Sequence, residues 1–599
     1  MFKVSLLILI LCSSFYIVSP IPFGLENYDS YELITAMHTG GVAHPPGYGT
    51  FLQLNRWFYQ LIRPVINDPS LSMTYFQFIC IILALTIGLR LVVNRKGDGI
   101  QFILLMLACG AVVENLYSVE VYGFLLLLYA LCLYLYCEKI SFLGITTQDV
   151  CLSICLGFLV SHHLSMAPLG ICILLRCFLE RGWRITLILG FLIGPLTHCY
   201  FTARASQTSM NPWFDGLNLW QLISHLSARN YRDAFLDFGI HLDSINNFIS
   251  VWSLVIWFFV FIFLIALLRK NQFAPGMGII LVLIWPLFAY HIPDIAHQLV
   301  PLYFTLGLLV AGTKKSRFLS LLLTIAAGVG TFLRFDEFKS FETDYRFRSK
   351  KQCLHDAQVA VAKSSEARSI FIGYDSTFAI AYWRHVLQSE NSTKVSILPM
   401  WWLSAFEHLQ SSNNYKYNSE GSIHWTALKT KDLIKIHELF QEKFGVSDEL
   451  SSVFSRLLRV LKILRDDDIG IYIPSGKPAL LEFLRNFGFD SINQGWWTKI
   501  IYRGSASQVS QTIIQRVYCQ KQKESNYFVH VLFLQAPKLP LNFVFRVDGQ
   551  KKPFRQLLSG DDRIILMLSA TKVDNQSTVS LEVFESSGSL LSTVELLID

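Results

Sequence analysis

Residues 102–137 read FILLMLACGAVVENLYSVEVYGFLLLLYALCLYLYC, two apolar runs joined by a short polar turn that carries Glu114 and Glu120. Runs of this kind recur up to residue 334, and from Phe335 onward the sequence turns polar. Across 599 residues, 52% are hydrophobic and only 16% are charged, against about 25% charged in ordinary soluble domains. Such a chain is not soluble throughout. A helix crosses a bilayer with about 20 apolar residues, in a range of 17–25. Candidate spans on that measure fall at roughly 3–20, 73–92, 100–114, 117–137, 150–161, 164–179, 185–203, 248–268, 276–291, 298–312 and 318–334. Several are short, and 150–179 reads either as two short spans or as a re-entrant hairpin around Ser161-His162-His163.

The positive charges order these spans. Lys3, Arg90, Arg95, Lys96, Lys139, Arg176, Arg181, Arg184, Arg269, Lys270, Lys314, Lys315 and Arg317 all fall on one side of an alternating eleven-span arrangement. By the positive-inside rule that side is cytoplasmic. Loops 21–72 and 204–247 are then outside, with everything after the last span. The expected fold is a polytopic α-helical membrane domain over 1–335, an extracytoplasmic α/β domain over 336–505 and a β-rich part over 506–599. Residues 369–403 predict strand, helix and strand. Residues 510–599 alternate with period two, with turn signals at Asp548-Gly549 and Ser587-Gly588.

The first segment, MFKVSLLILILCSSFYIVSP, lacks a convincing cleavage site and is read as an uncleaved span. Of the twelve cysteines only Cys353 and Cys519 lie outside apolar segments, so the polar part is not a disulfide scaffold. The net charge of +7 follows from the Lys and Arg of the cytoplasmic loops. No basic stripe with interleaved aromatics is present, so nucleic acid is not an expected partner.

The first outer loop holds the chemistry. In NYDSYELITAMHTGGVAHPPGYGTFLQLNRWFYQLIRP (27–64), Asp29-Ser-Tyr-Glu32 opens a short helix that ends at Gly40-Gly41, and His44-Pro-Pro-Gly-Tyr48 makes a tight turn. Phe51, Leu54, Trp57, Phe58, Leu61 and Ile62 then fall on one face of an amphipathic helix suited to the membrane interface. Two carboxylates and a histidine therefore sit just outside the bilayer. The plain alternative is a capping box, with Asp29 as cap and Glu32 reaching back, and with His44 closing the turn. The same side of the arrangement also collects Glu114, Glu120, His162, His163, Arg204, Arg229, Arg232, His291, Asp294 and His297. Ionisable groups at membrane depth are costly and are functional suspects.

The stretch DSYELITAMHTGGVAHPPGYG (29–49) resembles the D-[SA]-x-E…GVAHPPGYP signature of a family of GT-C membrane glycosyltransferases. That family includes bacterial members and the animal O-mannosyltransferase of plexin-type IPT domains. SVEVYGFLLLLYALCLYLY (118–136), Ser161-His162-His163-Leu164-Ser165 and HIPDIAHQLVPLY (291–303) resemble further segments of the same family. Gly49 departs from the family's proline, and Asn211-Pro-Trp-Phe-Asp215 only loosely echoes its N-W-G-D-P stretch.

The resemblance implies transfer of a sugar, with mannose among the candidates, from a polyprenyl-phosphate donor to a hydroxyl acceptor such as a protein Ser/Thr, a surface polysaccharide or other glycan, or a lipid. It implies Asp29 as catalytic base, with Glu32 orienting Asp29 or the acceptor. For the donor phosphate or substrate it points to His44, Tyr48, Arg56, His162, His163 and Arg204. Asp29, Glu32 and His44 could ligate a metal, but related protein O-mannosyltransferases work without one, so no metal and no cofactor is predicted. The implied setting is the periplasmic or luminal face of a bacterial inner membrane or an endoplasmic reticulum. Two other classes compete. A lipid or solute transporter or flippase would show inverted repeats and charges near mid-span. A non-catalytic assembly factor would tolerate replacement of Asp29 and His44.

Overall fold

In the computed structural model, residues 28–44, 46–138, 145–181, 185–206, 219–227, 295–312, 317–340, 345–373, 376–389, 391–399, 469–475 and 489–502 are described, with strands between 514 and 596 and some isolated positions. The predicted spans 3–20, 248–268 and 276–291 lie almost wholly outside these residues. So does most of loop 204–247, with Arg229 and Arg232, and so do His291 and Asp294.

By contact the chain divides into two units: the described residues of 1–359 and 375–397, and those of 360–374 and from 398 onward. In the first unit the helices follow the apolar runs. They are α1 (Tyr28–Thr39), α2 (Gly49–Ile62), α3 (Pro69–Asn94), α4 (Gly99–Leu107), α5 (Gly110–Tyr117), α6 (Tyr122–Cys137), α7 (Ile145–His162), α8 (Ala167–Arg181), α9 (Ile185–Ser206), α10 (Leu219–Leu226), α11 (Ile295–Gln298), α12 (Val300–Gly312), α13 (Arg317–Ser340), α14 (Tyr345–Lys363) and α15 (Ser376–Tyr382). Among the described residues, Pro69–Asn94 and Ile185–Ala205 are long and apolar enough to cross a membrane. The predicted span 100–114 is a pair of helices, α4 and α5, bent by 77° at their junction. The apolar helices near 122–137, 147–162, 164–179, 300–312 and 321–332 are shorter.

Local chemistry sets several boundaries. Asp68 caps α3, its carboxylate accepting from the backbone N–H of Ser70 at 2.8 Å and of Leu71 at 3.3 Å, with Pro69 in the first turn. Asp98 caps α4 in the same way through Ile100 and Gln101, each at 3.1 Å. Both follow the preference of aspartate for the orphan N–H groups of a helix start. Between helices, close approach replaces the hydrophobic driving force that lipid removes. Gly157 of α7 faces the backbone of Phe191 and Gly194 of α9, where a Cβ would collide. Tyr129 and Thr305 tie α6 to α12 by a hydroxyl pair at 2.5 Å, and Gln101 donates to Thr324 at 3.1 Å.

Helix α2 divides its predicted apolar face. Its buried side is Phe51, Leu52, Asn55 and Tyr59. Trp57 and Leu61, from the predicted apolar face, are 50% and 77% exposed. The protein packs one flank of the helix, Phe51 of the apolar stripe included, and leaves Trp57 and Leu61 outward, as a helix lying in a membrane interface does.

Helix α15 also belongs to the first unit. It packs on α1 with Tyr382 edge-on to Tyr31, ring centroids 5.3 Å apart. Residues 376–383 are buried without interruption. Cys353 is a buried free thiol whose sulfur lies 3.9 Å from the Ser376 carbonyl oxygen.

The predicted strand, helix and strand over 369–403 are β1 (Arg368–Gly373), α15 and β2 (Val395–Pro399). In the second unit β3 (Ile469–Pro474) pairs in parallel with β1 and antiparallel with β5 (Trp497–Tyr502), which pairs with β4 (Phe489–Gln494). Phe371 stacks on Tyr472 at 4.8 Å and meets Trp497 edge-on at 4.8 Å. The period-two region forms eight strands: β6 (Ile514–Lys521), β7 (Asn526–Phe533), β8 (Leu541–Val547), β9 (Gln550–Lys552), β10 (Phe554–Ser559), β11 (Arg563–Ser569), β12 (Val579–Glu585) and β13 (Leu590–Leu596). They make two antiparallel sheets of order β10-β11-β7-β6 and β13-β12-β8-β9. Val547 pairs with Gln550 on either side of the Asp548-Gly549 turn signal.

Candidate active site

Helix α1 ends where the sequence stops supporting it. Gly40 takes φ +75°, and Gly41 N–H reaches back to the Ala36 carbonyl at 2.8 Å, the glycine-ended helix terminus that relieves the last carbonyls. The chain then reverses. Gly47 N–H bonds the His44 carbonyl at 2.7 Å, and Tyr48 enters α2 in the left-handed region, φ 47° and ψ 31°. A tyrosine held there costs roughly 1–3 kcal/mol, and such strain gathers at functional sites.

This reversal lays His44 back on α1. Its Nδ1–H donates to Glu32 Oε2 at 2.6 Å, with Glu32 only 1% exposed. Asp29 lies one turn earlier on the same face. One donor atom from each of Asp29, Glu32 and His44 lies within 4.8 Å of the others. Ser30 anchors the start of the helix by donating to the Val119 carbonyl at 2.9 Å, beside the buried Glu120.

The electrostatics follow from this crowding. Burial alone disfavours a charged His44. The Glu32 carboxylate, through charge and hydrogen bond, and then Asp29 and Glu120 overcome it and raise its pKa to about 9. Burial pushes the Tyr48 phenol up from its ordinary value, and Asp29, Glu120 and Glu32 push it further. At neutral pH the cluster therefore holds an imidazolium and an intact phenol among three carboxyl groups.

Helices α9 and α10 wall the turn. His198 Nε2–H donates to the Pro46 carbonyl at 3.0 Å. A Cβ on Gly49 would stand 2.5 Å from Thr202 Oγ1, 2.7 Å from its backbone nitrogen and 3.1 Å from the His198 carbonyl oxygen. That contact explains why glycine stands where the resembling family has proline. Gly49→Ala is expected to destabilise the protein by about 1–3 kcal/mol, the usual result of overpacking. An unchanged thermal unfolding midpoint would refute the close approach.

The remaining predicted residues divide. Tyr48 lies at the centre, edge-on to His44 at 5.3 Å and to His162 at 5.7 Å. His162 is a wall residue whose Nε2–H donates to the Val121 carbonyl at 2.9 Å, packed against Phe51 and Phe124. His163 bonds Ser165 Oγ at 2.7 Å and lies near enough to feel the charge of His44. Arg56 folds across Gly40 at the far end of α1, where a cation offsets the helix dipole. Arg204 is exposed in the last turn of α9. The structure thus brings Asp29, Glu32, His44 and Tyr48 together, lines them with His162 and His163, and does not bring in Arg56.

Sequence reading missed His198 and His225. Burial holds His225 at a pKa of about 3, and its ring lies against Gly47. A histidine inside the apolar run 185–203 was the available signal for His198.

Asp29, Glu32 and His44 are of the right types to hold a divalent cation. A histidine binds a metal in its deprotonated form, so a cation here would displace the His44 proton that Glu32 favours.

No family model matches the chain, and no curated protein matches it. Among solved structures it resembles ArnT from Cupriavidus metallidurans bound to undecaprenyl phosphate, with TM-score 0.52 and 11% identity over 84% of this chain and 99% of that one. ArnT from the same organism in the apo state gives TM-score 0.43 and 12% identity over 83% and 97%. The likeness is one of fold alone.

Proposed function

We propose that the chain is an integral-membrane glycosyltransferase that moves a sugar from a polyprenyl-phosphate carrier to a hydroxyl acceptor on the periplasmic or luminal face. The observation that carries this reading is the Asp29–Glu32–His44 cluster on a chain with the fold of a protein bound to undecaprenyl phosphate. The D-x-x-E…HPPGY resemblance supports it from a separate direction.

In this reading Asp29 takes the proton of the acceptor hydroxyl. The acceptor oxygen bonds to the sugar C1 while the bond from C1 to the phosphate oxygen breaks. The lipid phosphate leaves with the electron pair. His44, as an imidazolium, and the Tyr48 hydroxyl face the negative charge that develops on it. Glu32 keeps His44 charged and oriented. The acceptor is a protein Ser/Thr or a glycan, mannose is one candidate sugar, and the segment after the last span is extracytoplasmic.

The test is transfer in reconstituted membranes supplied with a panel of polyprenyl-phosphate sugars, read by mass spectrometry of lipids and added acceptors. A defined mass increment on an acceptor supports the reading; no increment from any donor tested sinks it. No metal is required, so dialysis against EDTA should leave the rate unchanged. Loss of activity that added Zn²⁺ or Mn²⁺ restores would overturn that expectation.

A further inference from the structure

A cationic cluster lies at the end of α1 away from Asp29. Arg56 sits on α2 and Arg63 forms its C-cap, so the two share one helix face, about 10 Å apart along the axis. The Arg56 guanidinium lies against Gly40, where a Cβ would collide with Nη1. Arg63 Nε–H donates to Asn67 Oδ1 at 3.1 Å, and the Tyr59 hydroxyl donates to the same oxygen at 3.4 Å. Tyr59 is buried, and its ring lies against His38 with centroids 6.1 Å apart. His38 Nδ1 is buried with no hydrogen-bond partner among the described residues. Burial, and then the charges of Arg63 and Arg56, lower the pKa of His38, so both guanidiniums act on one imidazole.

The charge of this cluster is not balanced. Among the described residues neither arginine has a carboxylate within ion-pair reach, and the half-buried Arg56 has no hydrogen-bond partner. Asp68, close by in sequence, accepts instead from the N–H groups of Ser70 and Leu71. The negative end of α1 accounts for a cation at Gly40, but not for a second one at Arg63. A guanidinium carries five N–H donors, and leaving them partly buried without acceptors is costly. Two such forks beside a neutral imidazole, with no carboxylate, match the oxygens of a phosphate.

The surroundings indicate which phosphate. Trp57, Leu61 and Val65 stand exposed beside the two arginines. Trp57 meets Phe201 edge-on at 5.7 Å. Phe201 lies towards the end of α9, one of the helices long and apolar enough to cross a membrane. That contact sets α2 at the level where hydrocarbon gives way to headgroups, the depth tryptophan favours. Lipid phosphates lie at that depth, and basic side chains there attract anionic lipids. A soluble anion would leave the apolar stripe uncovered.

We propose that Arg56 and Arg63, with His38 and Tyr59 behind them, bind the phosphate of an anionic phospholipid whose acyl chains lie along Trp57 and Leu61. The site is separate from the Asp29 cluster and does not depend on the glycosyltransferase reading. One bound lipid would hold the end of α1 and the start of the α2–α3 turn at the membrane surface.

The test is native mass spectrometry of the full chain in detergent, titrated with phosphatidylglycerol, phosphatidylcholine or inorganic phosphate. NMR of histidine-labelled protein runs in parallel, with the His38 signal identified by its loss in His38→Gln. Phosphatidylglycerol is expected to bind the unaltered protein and to raise the pKa of His38, because its phosphate offsets the two guanidiniums. Arg56→Gln and Arg63→Gln should each weaken this binding roughly tenfold, about 1.4 kcal/mol. Arg90→Gln, an exposed arginine over Tyr134 of α6, should not. Phosphatidylcholine should bind more weakly, since its choline carries a cation to the same place. Matched thermal unfolding midpoints exclude misfolding, and either arginine variant that folds decides the outcome. Equal phosphatidylglycerol affinity in the unaltered protein and the arginine variants, or a His38 pKa that the lipid does not move, overturns the proposal. Inorganic phosphate that moves His38 at the same concentration as the lipid would make this a site for a free anion and overturn the lipid assignment.

Discussion

Asp29→Asn is expected to lower sugar transfer by roughly 10²–10⁴-fold, the usual range for removing a general base. At 1.36 kcal/mol per tenfold this is about 3–5 kcal/mol of transition-state stabilisation. The substitution keeps size and shape, and removes the proton acceptor together with one of the charges that favour a protonated His44. Asp29 lies on the first turn of a helix that is anchored elsewhere, by Ser30 on the Val119 carbonyl and by Tyr31 on Tyr382. Unfolding temperature and membrane insertion should therefore match those of the unaltered protein. Measured at equal protein amounts, a fall in kcat with the donor KM unchanged would fit a base that acts in the chemical step. Full activity in a folded Asp29→Asn protein would remove Asp29 from the mechanism and move weight to a transporter or an assembly factor.

His44→Ala should be the most destabilising change in the cluster. It leaves Glu32, 1% exposed, as a buried carboxylate without its 2.6 Å partner, and breaking one side of a buried pair costs about 3–5 kcal/mol. The pH dependence carries a matching signature. The pKa of His44 rises from 6.5 to about 9 on folding. The folded state thus binds its proton more tightly, by about 3 kcal/mol. That stability is fully present below pH 6.5, declines as pH rises towards 9 and is gone above it. Thermal unfolding from pH 6 to 10 should show this decline in the unaltered protein and a flatter profile in His44→Ala. Equal slopes would mean that another group titrates there. Transfer by the unaltered protein should also fall above about pH 9, as His44 loses the charge that faces the leaving phosphate.

Much of this arrangement was legible in the chain. The helix from Tyr28, its stop at Gly40, the turn at His44–Tyr48 and the helix from Gly49 follow from helix-ending, turn and periodicity signals that act within a few residues. Apolar runs marked the described membrane helices because lipid requires apolar length wherever a helix crosses. Period-two alternation marked the C-terminal strands because one face of a sheet is buried.

What the chain did not reveal depends on distant partners. Which flank of α2 packs was decided by α9 and by the aromatic neighbours of Phe51, not by the helix's own amphipathicity. Arg56 was a reasonable phosphate ligand by type, yet packing placed it across Gly40. Segment 376–382 read as part of a soluble domain, but Tyr382 meets Tyr31 on the back of the helix that carries Asp29. The sequence alone determined where apolar helices and alternating strands lie in outline and the residue types of the Asp29–Glu32–His44 cluster, because those depend on local hydrogen bonding and on transfer to lipid. The tertiary structure alone decided that Glu32 holds His44, that α9 demands glycine at position 49, and that Glu114 meets His297 across 182 intervening residues. Pairings of that reach are set by packing in three dimensions, which leaves no periodic trace in the chain.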